Sequence, residues 1–294
     1  MRQWVRHVLI GMSLLPSTQL LAQHKPLFTP DYYQSRFLEA GNVPYFGGAV
    51  LSHAKVYAVL WGANVDAEIQ SQIGPFYQAL VNSTYMDWLQ EYNTHGKAAD
   101  GRDGTLQDIG RGSFGGVVTI TPLNTATTLS QAAVEQELSS QIEQGHLPAP
   151  DANTLYMIHF PPTVTLSISW GDSCVRWCAD HERFSSPKFG NIYYALMPDL
   201  GSCPSACGGG SGAFAATTIC ASHELAEAIT DAACPISGAP IAFPAAWIRA
   251  DGNEIGDLCA WQGASLKGPA STFSVQAEWD NSASACKAGT FTSP

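Results

Sequence analysis

Lys55-Val56-Tyr57-Ala58-Val59-Leu60-Trp61, stopped by Gly62, is a run of β-branched and aromatic residues too short for a helix. It reads as a buried first strand. Behind it the period changes. Ile69, Ile73, Phe76, Tyr77, Leu80 and Val81 recur every three or four positions between Ala67 and Asn82, which lays one apolar stripe along a helix. A short helix around Tyr85–Glu91, with Met86 and Leu89 on its apolar side, is expected next.

The alternation continues along the chain. Residues 94–113 are rich in Gly and Asp and read as a long loop; Phe114 to Thr121 is a strand candidate. Leu129 to Gln144 is a helix, with Ser130 near its start and Gly145 just past its end. Tyr156–Phe160, closed by Pro161-Pro162, and Asn191–Met197 are further core strands, with a loosely alternating Thr163–Ser169 between them. Strand and helix in turn predict an α/β or α+β fold, a mixed sheet covered by helices. After the glycines of 208–212 a helix is expected from Phe214 to Asp231. Beyond Ala233 the chain is turn-rich, with short strands such as Phe273–Trp279. No repeat and no strong linker divides it, so residues 23–294 are read as a single domain with a disulfide-rich C-terminal half.

Of the 294 residues 45 % are hydrophobic, enough for a sizeable core. Only 13 % are charged, and the net charge is -11. No cluster of Lys and Arg is present, so nucleic acid is not an expected partner. Arg2 and Arg6 precede a mostly apolar run from Val8 to Ala22, the pattern of a secretory signal peptide over residues 1–22 with cleavage after Ala22. No later run is long enough to cross a bilayer, so membrane insertion is not expected. Residues 23–52 read as an extended lead-in, with no separate propeptide. All eight cysteines lie at or beyond position 174, which suggests disulfides in a secreted or periplasmic protein. The paired C-x3-C spacings predict local bridges Cys174–Cys178 and Cys203–Cys207, leaving Cys220, Cys234, Cys259 and Cys286 to pair over longer distances.

The chemistry concentrates at His223-Glu224-Leu225-Ala226-Glu227. On a helix His223 and Glu227 stack on one face, a turn apart. Zincins use this arrangement, with ligands at the first and fifth positions and a Glu at the second to act on water. Here the fifth residue is Glu, itself a legitimate zinc ligand. Leu225, Ala226, Ala228 and Ile229 mark the helix as buried, and no Lys or Arg lies between Lys188 and Arg249. Burying His223, Glu224, Glu227 and Asp231 without a counterion is expensive, so a divalent ion is the expected occupant. The segment Asp251–Asp257 is the natural donor of a third ligand, Glu254 first, with Asp257 beside it as a further ligand or outer acceptor. Zinc is expected, with calcium the alternative if oxygen ligands dominate. His181 can orient substrate or stabilise an oxyanion. His159, inside a strand, reads as a core side chain. Ser222 has no G-x-S-x-G around it, which argues against a serine hydrolase.

Ser222–Asp231, then Trp247, then Glu254-Ile255-Gly256-Asp257-Leu258-Cys259 resemble the phosphate-induced, EXORDIUM-like secreted proteins of plants and their microbial relatives. Trp61-Gly62, Trp170-Gly171, the Cys174/Cys178 region and Tyr193–Asp199 followed by Cys203 and Cys207 are similar in order. The resemblance spans roughly residues 55–280 and is dense at 222–231 and 254–259. The chain departs from the plant pattern where Cys203-Pro204-Ser205-Ala206-Cys207 runs into glycines. An extracellular or wall-associated protein is what this resemblance implies, with His223, Glu224, Glu227, Glu254 and Asp257 acting as a unit.

Two functions follow from these residues. One is a secreted zinc metallohydrolase cleaving peptides, with His223, Glu227 and Glu254 on the metal and Glu224 as general base. The other is a binding protein for carbohydrate or cell wall, in which a metal is structural and Trp170, Trp177, Trp247 and Trp261 stack on sugars. The position of Glu224, in an open cleft or in packed core, separates them.

Overall fold

The computed structural model describes residues 25–30, 41–203, 207–208, 212–233 and 241–294. The expected signal peptide, its cleavage point and Cys234 lie outside these. A six-stranded sheet organises the chain. In chain order its strands are β1 (Leu27–Phe28), β2 (Lys55–Leu60), β3 (Ser113–Thr119), β5 (Thr154–His159), β8 (Trp177–Ser186) and β9 (Gly190–Met197). Across the sheet they run β1-β8-β9-β5-β2-β3. The four strands from β9 to β3 are parallel, and β8 and β1 are antiparallel additions at one edge. A smaller sheet joins β4 (Thr128–Ser130), β6 (Thr165–Ile168) and β7 (Gly171–Asp172).

The helices fall on both faces because strand side chains alternate. Val56, Ala58 and Leu60 of β2 share one core with α1 (Ala67–Val81), α2 (Thr84–Trp88) and α4 (Ala213–Thr230). Tyr57 and Val59 share the other with Val134, Leu138 and Ile142 of α3 (Gln131–Glu143). Two helix starts are capped by side chains: Asp66 accepts from the amides of Glu68 and Ile69, and Ser130, expected near the start of its helix, from that of Ala133. Gly145, at φ +76°, closes α3 in a conformation that favours glycine. This mixed sheet with helices, and the disulfides of the C-terminal half, agree with the expected fold class.

The C-terminal region supplies β10 (Gly263–Lys267), β11 (Thr272–Gln276), β12 (Glu278–Asp280), β13 (Ala285–Lys287) and β14 (Thr290–Thr292). A sheet ordered β11-β10-β14 lies against α4, whose other side meets β8 and β9. Held between two sheets, α4 is buried on all sides from Cys220 to Thr230. That explains its composition of Ala, Cys, Ser and Thr, since small side chains allow close approach on every face.

The disulfides correct the local pairing. Cys174 bonds Cys203, Cys178 bonds Cys207, and Cys259 bonds Cys286, with Cα separations of 5.1, 5.6 and 5.7 Å. Because β8 and β9 are antiparallel, the start of β8 lies beside the chain that leaves β9, so the two C-x3-C segments cross-link to each other. Cys259–Cys286 is one of the longer-range pairs expected. Cys220 is the free cysteine among the described residues, and it is buried.

Candidate metal centre

Three elements meet at the buried centre. The helix α4 contributes His223, Glu224 and Glu227; β8 contributes His181; and the loop into the short 3-10 turn Asp257–Cys259 contributes Glu254 and Asp257. All six side chains are at most 1 % exposed. His181 lies opposite Ala195 of β9, on the sheet face covered by α4, so its ring reaches the helix.

The donor atoms converge. His181 Nδ1 is 3.1 Å from Glu224 Oε2 and 3.8 Å from Glu227 Oε2. His223 Nε2 is 3.1 Å from Glu227 Oε2 and 3.9 Å from Glu224 Oε1. Two ligands of one tetrahedral zinc ion are separated by about 3.3 Å, given metal–ligand bonds near 2.0 Å, and the two separations of 3.1 Å are close to such an edge. His223 Nε2 and Glu227 Oε2 are not aligned for a hydrogen bond, and neither has such a partner among the described residues. A buried nitrogen and a buried carboxylate oxygen left in that state are expensive unless a cation lies between them. His181, Glu224 and Glu227 form a buried group that can hold a metal ion, and His223, Glu227 and Asp257 form a second that shares Glu227.

The surroundings hold these side chains in place. Glu227 Oε1 accepts from the backbone amides of Gly256 and Asp257, at 3.0 Å each, which turns Oε2 toward the histidines. Asp257 accepts from the amide of Glu254 at 3.0 Å and so shapes its own turn. Gly256 has ordinary helical angles, so its backbone does not require glycine. Space does: a Cβ there would lie 2.5 Å from His223 Nδ1 and 2.8 Å from both Glu227 Oε1 and Glu278 Oε2.

Electrostatics match this crowding. Burial opposes a charge on His223, but Glu227 and Glu224 outweigh it and raise its pKa well above the ordinary value. Burial, reinforced by Glu227, raises Asp257 to about 7. Burial raises Glu278 to about 8, against the stabilising pull of His223 and the Tyr85 hydroxyl.

Most of the expected constellation is brought together. Glu254 differs in position: it lies 3.8 Å from His181 Nε2, on the far side of that imidazole, and belongs to neither donor group. His181 stands where a third ligand was sought. Gln276 and Glu278 were not anticipated, although as polar residues two apart within the apolar run Phe273–Trp279 they signalled one strand face turned to a polar interior. Gln276 Nε2 lies 2.7 Å from His223 Nδ1 and donates to Gly256 O, while its Oε1 accepts from the Trp261 amide. Glu278 accepts from the Tyr85 hydroxyl at 2.7 Å. Of the tryptophans expected at the surface, Trp177 is fully buried in β8 and donates to Gly171 O; Trp170, Trp247 and Trp261 are half-buried. No protein-family model, curated protein or solved structure matches the chain.

Proposed function

We propose that the protein is a secreted zinc metallohydrolase acting on peptides. The observation that carries this reading is the pair of buried donor groups, His181/Glu224/Glu227 and His223/Glu227/Asp257, that share Glu227. Each group sets one imidazole beside two carboxylates, a mixed nitrogen and oxygen set that suits zinc better than calcium, which takes six or more oxygens. When bound, zinc supplies Lewis acidity toward a carbonyl and toward water.

The chain's own residues supply the rest. Glu224 faces both histidines and does not share the amide bonds that fix Glu227, so it is the group placed to hold and move a proton. For His181 to present Nδ1 to an ion, its ring proton must sit on Nε2, 3.8 Å from Glu254 Oε2, and not on the Nδ1 that lies 3.1 Å from Glu224 Oε2. His223 needs its ring proton on Nδ1 to present Nε2. Gln276 must then turn its amide so that oxygen faces the ring, giving up its bonds to Gly256 O and the Trp261 amide. Three disulfides and the absence, among the described residues, of a helix able to cross a membrane fit an extracellular protein. The EXORDIUM-like motif at 222–231 and 254–259 supports the same location.

The complete burial of Glu224 favours a second reading. A metal in packed core stabilises a carbohydrate- or wall-binding protein and needs no access for substrate. Elemental analysis of the mature protein, beside His181→Ala and His223→Ala, decides first. Near one zinc per chain, lost in both variants, supports the centre; Glu224→Gln that keeps zinc and loses peptide hydrolysis then supports catalysis. Zinc-loaded protein inert toward peptides in every state leaves the structural-metal reading, and no metal at all removes both.

A further inference from the structure

The short strand β1 belongs to no hairpin or crossover of the sheet. It reaches β8 from a point 150 residues earlier, pairing Leu27 with Ala179 and Phe28 with Trp177 through an irregular register, and Thr29 N donates to Arg176 O at 3.0 Å. Two residues are short for a structural strand, which averages about five or six. Its side chains are nevertheless seated deeply. Phe28 is 1 % exposed and meets Trp170 edge-on at 5.4 Å, while its carbonyl accepts from Trp261 Nε1 at 3.1 Å. Lys25 is buried and donates to Asn253 Oδ1 at 2.9 Å, next to Glu254 and within the field of Asp257 and Asp251. Leu27 packs into the core that contains α4.

The segment therefore touches β8, α4 and the 251–261 loop, and these are the elements that carry the donors of the metal centre. It runs antiparallel to β8, so the chain before Leu27 passes toward His181, two residues beyond Ala179. Without β1 the outer edge of β8 would show unpaired backbone groups beside an aromatic niche and an acidic one. Such an edge is a template for an added strand, with backbone bonds giving affinity and flanking niches giving selectivity.

We infer that this edge is a binding cleft for an extended peptide carrying a cation and, three residues later, an aromatic side chain. In this chain its own Lys25–Thr29 fills the cleft in cis, beside the elements that carry the centre's donors. The strap places inside the lead-in an inhibitory element that the sequence did not reveal. That the cleft serves hydrolysis rests on the function proposed above; the cleft and its occupant do not.

The test uses the full mature chain with a site-specific protease sequence placed within residues 31–40. A fluorescent peptide of residues 23–30 is titrated before and after cutting, anisotropy is read, and metal is measured on the same samples. The intact chain is expected not to bind. The cut chain should release its strap on gel filtration, keep its near-ultraviolet circular dichroism and bind the peptide; peptides with Lys25→Glu or Phe28→Ala should bind at least about tenfold more weakly. In the intact chain, Lys25→Ala should admit labelled peptide at concentrations where wild type admits none. A cut strap that neither leaves nor exchanges, or whose departure unfolds the protein, makes β1 an ordinary structural strand and overturns the inference. Exchange in a metal-free protein keeps the strap and removes the hydrolase; metal without exchange does the reverse.

Discussion

Two regions of this molecule bury histidine completely, and they do so in opposite ways. At the end of β5, His159 Nε2 is 3.0 Å from the Tyr77 hydroxyl of α1, and burial alone moves its pKa from 6.5 to about 3. At the centre, His223 is as deeply buried, yet its pKa moves up because Glu227 and Glu224 face it. The first histidine is a neutral side chain satisfied by one hydroxyl. The second, with His181, stands among more carboxylates than the local cations balance. Burial therefore does not mark the functional residue. What marks it is a surplus of buried donor atoms of one sign, arriving from several elements at one point.

The widest gap between the regions opens when Glu227 is removed. Glu227→Ala takes away the residue common to both donor groups, so zinc affinity should fall by well over about a hundredfold, beyond what loss of an outer partner costs. The paired change His159→Gln should leave zinc content untouched. Competition with a chelator of known affinity measures both, and equal losses would dissolve the distinction. Next in size is acid sensitivity at His159. The folded chain keeps this ring neutral down to about pH 3, whereas the unfolded chain takes up a proton below 6.5. The unfolded state then binds more protons, so stability falls as pH drops through that window, by about 1.4 kcal/mol per pH unit. Between pH 6.5 and 4.5 this comes to about 2 kcal/mol, because the slope is only half developed at pH 6.5. Urea unfolding across that range should be flatter in His159→Gln than in wild type; parallel curves would show that His159 is not the titrating group.

The contrast also decides what was legible in the sequence. The Tyr77–His159 region could be read, because β2, α1 and β5 carry clean periodicities and a lone polar residue in an apolar strand announces a satisfied core position. Half of the centre could be read too, since His223, Glu224 and Glu227 lie on one helix at fixed spacing. The other half arrives through β8, a strand hidden by Asp180-His181-Glu182-Arg183 in its middle. Those charges look like a surface loop to any rule based on apolar alternation, yet Asp180 and His181 are buried. The disulfides were misread for the same reason. Without β8 nothing indicated that residues 174–178 lie beside residues 203–207, and the nearest cysteine in sequence stood in for the nearest in space. Gln276 and Glu278 were absorbed into one long strand, although the chain breaks at Ala277.

A smaller effect sharpens the comparison at the centre itself. Gly256→Ala places a methyl against His223 and Glu227 and should weaken zinc about ten- to a hundredfold, the range for disturbing outer-shell support. Ala at this position is compatible with the local backbone angles. Loss of affinity therefore reports crowding at the donors, and an unchanged affinity would mean that the loop can withdraw without moving them.

The smallest change is made on the other histidine. Tyr77→Phe removes one hydroxyl and leaves His159 Nε2 buried without the group it bonds to. Leaving a buried polar atom unpaired costs about 1 to 3 kcal/mol, while the ring of residue 77 keeps its packing against Phe76 and Phe114. The loss should appear as a lower urea midpoint with an unchanged slope. Zinc affinity should not move, because neither residue contributes a donor atom to the centre. If Tyr77→Phe weakened zinc binding as much as Gly256→Ala, the two buried histidine regions would be one coupled unit, and the separation drawn between a packing histidine and a ligand histidine would fail.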